Sequence, residues 1–299
     1  MASRPPPART STVRTQKTKQ LSSGARRVVA KRSGPGWGRW ALGGWLLLAL
    51  WLGVEFARMP DVSLLRTQNP RTTALMSQRA EEALEAGRKP RARQAWVSLG
   101  AVAPHAVDAV LISEDARFYR HEGVDWTEVE NAFEQSVREA RLGRGASTLT
   151  QQLAKNLYLS TDRSLLRKGK ELLLARQLET HLSKQRILAL YLNVVEWGEG
   201  VYGIEAAARE HFGVSARALS VAQGAMLAAM LPAPRRWLPA QRPETLRTRA
   251  GVIVGRLERE GRISGAQARE ANAELSRFFG EPPAPGFVAE AGAALPAGS

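Results

Sequence analysis

A helical pattern runs through the middle of the chain and sets its fold class. Between residues 104 and about 232, apolar residues recur every three or four positions, and only short loops interrupt them. This spacing is typical of helices that bury one face in a core. The chain has 299 residues, of which 44% are hydrophobic, enough for one sizeable domain with appendages. We therefore predict a mainly α-helical domain over residues 96–275.

The first 36 residues are predicted to be a disordered basic tail. They are rich in Pro, Ser, Thr and Arg and lack the large apolar residues that a core needs. Ten Arg or Lys and no acidic residue occur in residues 1–39, so most of the chain's net charge of +15 lies there. Such charge suits nucleic acid, acidic lipid or phosphate-bearing ligands. The segment next to this tail decides among these partners.

An apolar run over residues 37–57 is predicted to be a single transmembrane helix. Its uncharged part, residues 40–54, is shorter than the ~20 residues of an ordinary span, but flanking Trp residues can sit at the membrane interfaces. A cleaved signal peptide and a buried core helix are the alternatives. The positive-inside rule places the tail in the cytoplasm and the rest of the chain outside the plasma (inner) membrane. The tail then lies across the membrane from the domain, which argues against nucleic acid as a partner.

Three further observations bound the organisation. No cysteine is present, which excludes disulfides and thiolate metal sites. Residues 58–95 are predicted to be a linker and membrane-proximal segment with a helix over about 73–86, followed by a short extended segment over 96–99. Residues 276–299, rich in Pro, Ala and Gly, are predicted to be a flexible tail.

The first candidate site is the stretch 112–123, where a predicted helix ends in two adjacent carboxylates, Glu114 and Asp115. Phe118, His121 and the turn residue Gly123 follow within eight positions. A rigid helix followed by a sharp turn can hold a carboxylate at the edge of a cleft. Surface charges at a helix end explain the acidic pair equally well.

A second candidate site begins where glycines and Ser147 lead into a helix. At about 100° per residue, one arc of this helix is polar and another, with Leu149, Leu153 and Leu157, is apolar. A helix start that carries hydroxyl, amide and ammonium groups suits an anion such as phosphate. The alternative is an amphipathic helix with a solvated polar side. The polar arc consists of Thr148, Gln151, Gln152 and Lys155.

A third candidate site lies on a long predicted helix between about 163 and 183. Arg167, Lys168 and Glu171 fall together on one side, where two cations could neutralise a pyrophosphate. An exposed ion pair between Arg167 and Glu171 is the alternative, worth about 0.3–0.5 kcal/mol. The apolar stripe is predicted on the opposite side, at Leu165, Leu166, Leu172 and Leu173.

A fourth pattern, Lys-x-x-Ile-x-x-x-Tyr-Leu-Asn over 184–193, indicates a helix. A glycine loop and a helix from about Gly203 to Phe212 come after it. Ser220 and Gln223 are then placed to form a capping box for a very apolar helix.

With this last pattern, four motifs stand in an order that resembles glycosyltransferase family 51. The others are Glu-Asp-x-x-Phe-x-x-His-x-Gly over 114–123, Gly-Ala-Ser-Thr-x-Thr-Gln-Gln-Leu-Ala-Lys-Asn over 145–156 and Arg-Lys-x-x-Glu over 167–171. The resemblance, over residues 96–240, is to the monofunctional biosynthetic branch, the peptidoglycan glycosyltransferases. It implies a lysozyme-like helical domain. The chain departs from the family at Gln223, where Glu is usual.

The resemblance also implies a reaction. Lipid II would be polymerised into β-1,4-linked glycan strands with release of polyprenyl pyrophosphate, and Glu114 would be the general base. Glu171 would be a second catalytic carboxylate. Substrate-binding residues would be Asp115, Phe118, Ser147, Thr148, Gln151, Gln152, Lys155, Asn156, Arg167 and Lys168, and structural ones His121, Gly123, Tyr191 and Asn193.

Partners and cofactors are implied by the same resemblance. The substrates would be lipid II and the growing glycan strand at a lipid bilayer, and proteins of the cell-wall synthesis machinery are candidate partners. A divalent cation, Mg²⁺ or Mn²⁺, is expected, with its ligands unassigned, and no organic cofactor. The alternative enzyme is a lysozyme-like peptidoglycan hydrolase or lytic transglycosylase, which uses a helix-end Glu as an acid but needs no cluster of cations for a pyrophosphate.

Overall fold

The computed structural model describes residues 37–139, 147–159, 164–241 and 243–280. The chain divides into two compact units, Met1–Arg58 and Met59–Ser299. The predicted basic tail over residues 1–36 lies outside the described residues, and so do the two glycines before Ser147 and most of the predicted C-terminal tail.

The first unit contains helix α1, Trp37–Ala57. Within the described part of the chain, no helix is both long enough and apolar enough to cross a membrane. The transmembrane helix predicted over 37–57 is therefore not confirmed.

The second unit opens with a 3₁₀ helix, Val62–Arg66, and α2, Ala74–Glu85. The Thr73 hydroxyl caps α2 by accepting from the Met76 amide at 3.1 Å, so a helix forms where one was predicted over about 73–86. Leu65 is buried, and its carbonyl accepts from Arg186 Nε at 2.7 Å. The segment before the helical domain is thus packed against it.

Helices account for most of the described residues, which confirms the mainly α-helical class. The core is built by α3, Pro104–Glu114, which packs on α9, Val221–Met230, and α10, Glu244–Arg259. A second group packs α5, Leu149–Tyr158, on α6, Leu165–His181, and α7, Lys184–Val194. The remaining helices are α4, Trp126–Glu139; α8, Ile204–Phe212; and α11, Gly265–Phe279. Short 3₁₀ helices span Leu99–Ala101, Phe118–Arg120, Ala216–Ala218 and Pro239–Gln241.

One small sheet joins the N-terminal part of the unit to the loop after α7. Strand β1, Arg93–Gln94, pairs in parallel with β2, Val201–Tyr202. Strand β1 lies just before the extended segment predicted over 96–99, in which Ser98 has extended backbone and the last residue, Leu99, starts a 3₁₀ helix. The chain next turns at Gly203, whose φ of +83° and whose contact with the Asn193 carbonyl leave no room for a side chain.

The apolar stripe predicted on α6 is wrong. Leu166 and Leu173 are 39% and 47% exposed, whereas Leu174 and Leu178 are buried. The buried Glu171 lies on the same inward side, because positions 171, 174 and 178 follow helical spacing. The sequence places leucines on two sides of α6. The tertiary packing of α6 buries the side that also carries the charged residues.

At the C-terminal end the structure both confirms and extends the helical pattern. The capping box at α9 forms: Gln223 N donates to Ser220 Oγ at 3.1 Å and Ser220 N to Gln223 Oε1 at 3.0 Å. The amide oxygen of Gln223 thus serves the cap in place of the family's usual carboxylate. Helix α11 continues to Phe279, so the flexible tail predicted from residue 276 begins no earlier than residue 280.

Helix α9 approaches α3 so closely that Gly224 is required at the contact. A Cβ added there would lie 2.9 Å from both Cα and Cβ of Ala106. Because overpacking of a close helix contact costs about 1–3 kcal/mol, we expect Gly224→Ala to lower the free energy of unfolding by that amount. Denaturant unfolding followed by circular dichroism measures it.

Gly251 in α10 supplies the matched control, because nothing lies within 4 Å of a Cβ added there. Gly251→Ala should stabilise the protein by up to about 1 kcal/mol through helix propensity. Equal effects of the two substitutions would contradict the close packing of α9 on α3.

Candidate active site

Glu114 is the last residue of α3 and stands at the wall of a cavity of about 190 Å³. Elements distant in sequence meet there: the end of α3, the turn that follows it, the start of α4, the entry to α5 and one residue of α10. The lining residues are Ile112, Ser113, Glu114, Asp115, Ala116, Arg117, Asp125, Glu128, Ser147, Thr148 and Arg256. The first two candidate sites of the sequence therefore form one site.

A hydrogen-bonded chain fixes the Glu114 carboxylate. Gln152 Nε2 donates to Glu114 Oε2 at 2.9 Å, and the hydroxyl of the fully buried Tyr191 donates to Gln152 Oε1 at 3.0 Å. Because Tyr191 occupies the amide oxygen, the Gln152 NH₂ group is directed at Glu114. Burial raises the pKa of Glu114, while the Gln152 hydrogen bond and the charge of Arg249 oppose the rise.

Asp115, in contrast, is buried and fully engaged by its own chain. Its carboxylate accepts from His121 Nε2 at 3.0 Å and from the Leu149 amide at 2.9 Å. The amide of Gly123 donates to His121 Nδ1 at 3.2 Å, so the proton of the ring lies on Nε2. Asp115 thus ties the turn after α3 to the first residue of α5, which leaves it little capacity for a substrate.

Phe118 is also removed from the cavity, since it is 1% exposed. The Lys184 ammonium lies 4.4 Å from its ring centroid and pairs with Glu179 at 2.8 Å. The structure therefore places Phe118 in the core, where it supports the turn that carries Glu114. Substrate contact, as the resemblance implies for Phe118, does not fit this position.

The carbonyl of Gly123 is the second anchor of this turn. Thr148 Oγ1 donates to it at 2.6 Å and Gln151 Nε2 at 3.2 Å, and both side chains are buried. Gly123 itself has φ +90°, and its Cβ would touch the Ala175 backbone at 3.3 Å. Thr148 and Gln151 thus hold the turn, so the polar arc predicted on α5 is only partly free for a ligand.

Three charged residues of α6, Arg167, Lys168 and Glu171, form a triad next to α5. Arg167 Nη1 lies 2.8 Å from Glu171 Oε2, and Lys168 contacts the second oxygen of this buried carboxylate. Lys168 Nζ also reaches Ser147 Oγ and Gln151 Oε1, each at 3.2 Å. The exposed ion pair considered from the sequence is therefore wrong for Glu171, which is buried and holds both cations in place.

Lys155 stands between Glu114 and this triad. Burial lowers the pKa of its ammonium. The charge of Glu171 opposes that shift, the like charges of Arg167 and Lys168 add to it, and Glu114 opposes it more weakly. No described residue forms an ion pair with Lys155. Nor does the buried Arg167 Nε have a hydrogen-bond partner among them. One half-buried ammonium and one guanidinium N–H thus remain for an anionic ligand.

The two remaining candidates differ in position. Asn156 is buried in α5. Asn193 has a structural role, as predicted: its side chain accepts from the Val97 amide at 2.9 Å and donates to the Val97 carbonyl at 3.0 Å and the Ala189 carbonyl at 2.7 Å.

Sequence reasoning missed the contribution of α10. Arg249 acts on the pKa of Glu114, is stacked 5.1 Å over the Trp237 ring and donates to the Ala229 carbonyl at 3.2 Å. Arg256 lines the cavity. Both lie more than 130 positions after Glu114 on a helix with two other arginines, so no local signal sets them apart.

The described residues present no ready-made site for a divalent cation. They contain no group of three or more His, Asp or Glu side chains placed to hold a metal. Glu171, the carboxylate nearest the cations, has both oxygens engaged by Arg167 and Lys168. We therefore assign no chemical step to a metal, and the expectation of Mg²⁺ or Mn²⁺ stays a prediction.

Comparison with known proteins agrees with the motifs. The family model described as Transglycosylase matches residues 80–258. The biosynthetic peptidoglycan transglycosylase of Laribacter hongkongensis is 40% identical over 71% of this chain and 92% of that protein. The corresponding protein of Rhodospirillum centenum is 50% identical over 54% of this chain and 70% of its own length.

Among solved structures, penicillin-binding protein 1A from Haemophilus influenzae is similar at 21% identity and a TM-score of 0.34, over 60% of this chain and 17% of that one. The family match covers more than half of the chain and includes Glu114, Lys155, Arg167 and Glu171. The chain belongs to the transglycosylase family, glycosyltransferase family 51.

Proposed function

We propose that this peptidoglycan glycosyltransferase polymerises lipid II into β-1,4-linked glycan strands. The growing strand is the donor and lipid II the acceptor, whose sugar 4-hydroxyl attacks the anomeric carbon of the donor. The new C–O bond forms as the bond to the pyrophosphate breaks, so the configuration inverts and polyprenyl pyrophosphate leaves. The observation that carries this proposal is a hydrogen-bonded, half-buried carboxylate, Glu114, next to an unpaired, half-buried ammonium, Lys155.

Glu114 acts as the general base. A carboxylate with a raised pKa accepts the proton of the attacking hydroxyl better than an ordinary surface carboxylate does. The Tyr191–Gln152 chain orients it, and its place at a rigid helix end keeps it at the cavity wall. The electron pair of the breaking C–O bond passes to the pyrophosphate, away from Glu114.

The cations of α5 and α6 stabilise the charge that develops on the leaving pyrophosphate. Lys155 and the free Arg167 N–H are placed before the reaction, so little reorganisation is needed when the charge appears. Lys168 and Ser147, already in contact, complete this face. Glu171 is then a positioning residue: it holds Arg167 and Lys168 without itself meeting the reacting atoms.

The alternative, a lysozyme-like hydrolase or lytic transglycosylase, would use Glu114 as an acid on a finished glycosidic bond. In such an enzyme, the cations on α5 and α6 would have no pyrophosphate to bind. Incubation of the full chain in detergent with lipid II, and separately with finished peptidoglycan, distinguishes the two. Polymer from lipid II with intact peptidoglycan supports the proposal, and the reverse result overturns it. A parallel reaction with EDTA tests the expected dependence on a divalent cation.

The acid limb of the pH–rate profile should report Glu114. The base must be ionised to act, so its raised pKa places the loss of activity at higher pH than for an ordinary Glu. Gln152→Met removes the N–H that stabilises the ionised form while keeping the side-chain volume. In kcat/KM profiles of polymerisation, we expect the acid limb to move to still higher pH. On the alkaline plateau, the loss of kcat/KM should be smaller than on the limb.

Gln185→Met on α7 is the control for this profile, because Gln185 is an amide on a neighbouring helix with no hydrogen bond to Glu114. It should leave the limb unchanged. A limb that stays in place in Gln152→Met would contradict the assignment of Glu114 as the titrating base.

We also place the enzyme at the membrane surface, with the catalytic unit outside the cytoplasm. The polyprenyl chains of donor and acceptor favour the bilayer, so the enzyme must meet them at its surface. Anchoring through residues 37–57 remains a prediction from the sequence. Protease accessibility of both ends in spheroplasts tests the topology, and retention of the chain in washed membranes tests the anchor.

A further inference from the structure

Polymerisation of lipid II brings two lipid pyrophosphates to the enzyme, one on the donor and one on the acceptor. The cations of α5 and α6 are placed for the pyrophosphate that leaves. None of them lines the cavity at Glu114, whose two cations are Arg117, in the turn after α3, and Arg256, on α10. The donor half of the reaction does not use these two arginines, so we ask what they bind.

Arg117 is held at the cavity wall by an ion pair. Its Nε lies 3.4 Å from Asp125 Oδ2. The other oxygen, Asp125 Oδ1, caps α4 by accepting from the Thr127 amide at 3.1 Å and the Glu128 amide at 3.2 Å. The Asp125 side chain is buried, whereas that of Arg117 is 37% exposed. The ion pair therefore fixes one edge of the guanidinium and leaves its outer N–H groups for a ligand.

Arg256 lines the same cavity from α10. Its neighbours Val254 and Leu257 are fully buried and anchor this part of the helix, while Arg256 itself is half-buried. No acidic residue in the described ranges forms an ion pair with it. A half-buried guanidinium without a counter-ion is suited to a phosphate group, because Arg can bind phosphate through two parallel N–H bonds.

The position of Arg256 on α10 relates it to the reacting centre. Arg249 and Lys155 are the cations whose charges act on Glu114, so Arg249 marks the part of α10 nearest to that carboxylate. Arg256 lies seven residues further along the same face, about 10 Å along the helix axis. Two sugar rings in a row cover a similar length. A disaccharide with one end at Glu114 thus has its other end near Arg256.

The acidic residues of the cavity do not cancel these two arginines. Asp115 and Asp125 are buried and already engaged within the fold. Glu128 is exposed, and in the part of the chain that the structure describes it pairs with neither arginine. Water and salt screen an exposed carboxylate, so Glu128 weakens the attraction of the arginines for an anion without removing it.

We propose that Arg256, together with Arg117, binds the pyrophosphate of the acceptor lipid II. This inference rests on the proposed function and adds the acceptor half of the site. The acceptor lies along α10, with its sugar 4-hydroxyl at Glu114 and its pyrophosphate at the two arginines. Glu114 then stands between two groups of cations, one for each lipid pyrophosphate. The arginines hold the acceptor in place and take no part in bond breaking.

The test separates the acceptor role of lipid II from its donor role. Lipid II that carries a methyl cap on its 4-hydroxyl serves only as a donor. The acceptors are labelled lipid II and the labelled 1-O-methyl glycoside of the same disaccharide-peptide, which lacks the pyrophosphate. The full chain is assayed in detergent, only product that carries both the cap and the label is counted, and KM is determined for the donor and for each acceptor.

Arg256→Gln should raise the KM for lipid II as acceptor about tenfold or more, in line with the loss of a hydrogen bond to a charged group. The KM for the methyl glycoside, the KM for the capped donor and kcat should stay close to the parent values. Arg256→Lys keeps the charge but loses the planar fork, so its KM for lipid II should be intermediate. Because Arg256 has no counter-ion, neither variant leaves a buried charge unpaired, and both should fold.

Arg259→Gln is the matched control, since Arg259 is an exposed cation almost one turn further along α10 and does not line the cavity. It should leave the KM for both acceptors unchanged. The inference is overturned if Arg256→Gln keeps the parent KM for lipid II, raises the KM for both acceptors equally, or raises the KM for the capped donor. If the parent chain itself forms no product from lipid II, the proposed function fails, and the inference fails with it.

Discussion

Glu114→Gln is expected to lower kcat for polymerisation of lipid II by about 10²–10⁴-fold, the usual contribution of a general base. The amide cannot take the proton of the acceptor hydroxyl, yet it has nearly the same volume and can still accept from Gln152. The cation face on α5 and α6 is untouched, so the KM for lipid II should change little. Loss of kcat at constant KM would identify an interaction made in the transition state.

Glu122→Gln is the control for this substitution. Glu122 is an exposed carboxylate in the same turn and contacts the exposed Arg176. It should retain parent activity, and circular dichroism should show both variants folded. Polymerisation by a folded Glu114→Gln variant at near the parent rate would refute both the base and the mechanism built on it.

The helices around the site were predictable because their signals are local. The start of α9 is marked by Ser220 and Gln223, and α5 separates its leucines cleanly from its polar residues, so periodicity and capping give both elements. The same reasoning failed on α6, where leucines occur on two sides and the helix turns its charged triad inward. Only the packing of α6 on α5 decides between those two sides, and no local pattern encodes it.

The structure brings Glu114, Gln152 and Lys155 together, as the order of the motifs indicated, while their roles stay predictions. However, the Asp115 carboxylate already accepts from His121 and the Leu149 amide, and the Thr148 hydroxyl already donates to the Gly123 carbonyl. A sequence lists polar groups without showing which of them the fold has already satisfied. Arg249 is the opposite case, a residue that sequence reasoning left out. It reaches Glu114 only through the packing of α10 on α3.

The second large effect is expected from Lys155→Met, which keeps the length of the side chain and removes its charge. Lys155 faces Glu171, Arg167, Lys168 and Glu114 and forms no ion pair with a described residue. Its ammonium is therefore free to stabilise charge on the leaving pyrophosphate, a contribution of about 10²–10³-fold for one such group. We expect a fall of that size in kcat/KM, together with weaker binding of a lipid pyrophosphate measured by calorimetry.

Lys155→Arg separates charge from shape. It restores the positive charge without the ammonium geometry, so its kcat/KM should lie between those of the parent and Lys155→Met. Because Lys155 is only half-buried and unpaired, neither variant leaves a buried partner without its counter-charge, and both should unfold at denaturant concentrations close to the parent's. Parent-like affinity of Lys155→Met for a lipid pyrophosphate would place the phosphate contacts on Arg167 and Lys168 alone. In that case the free ammonium of α5 would have no part in stabilising the leaving group.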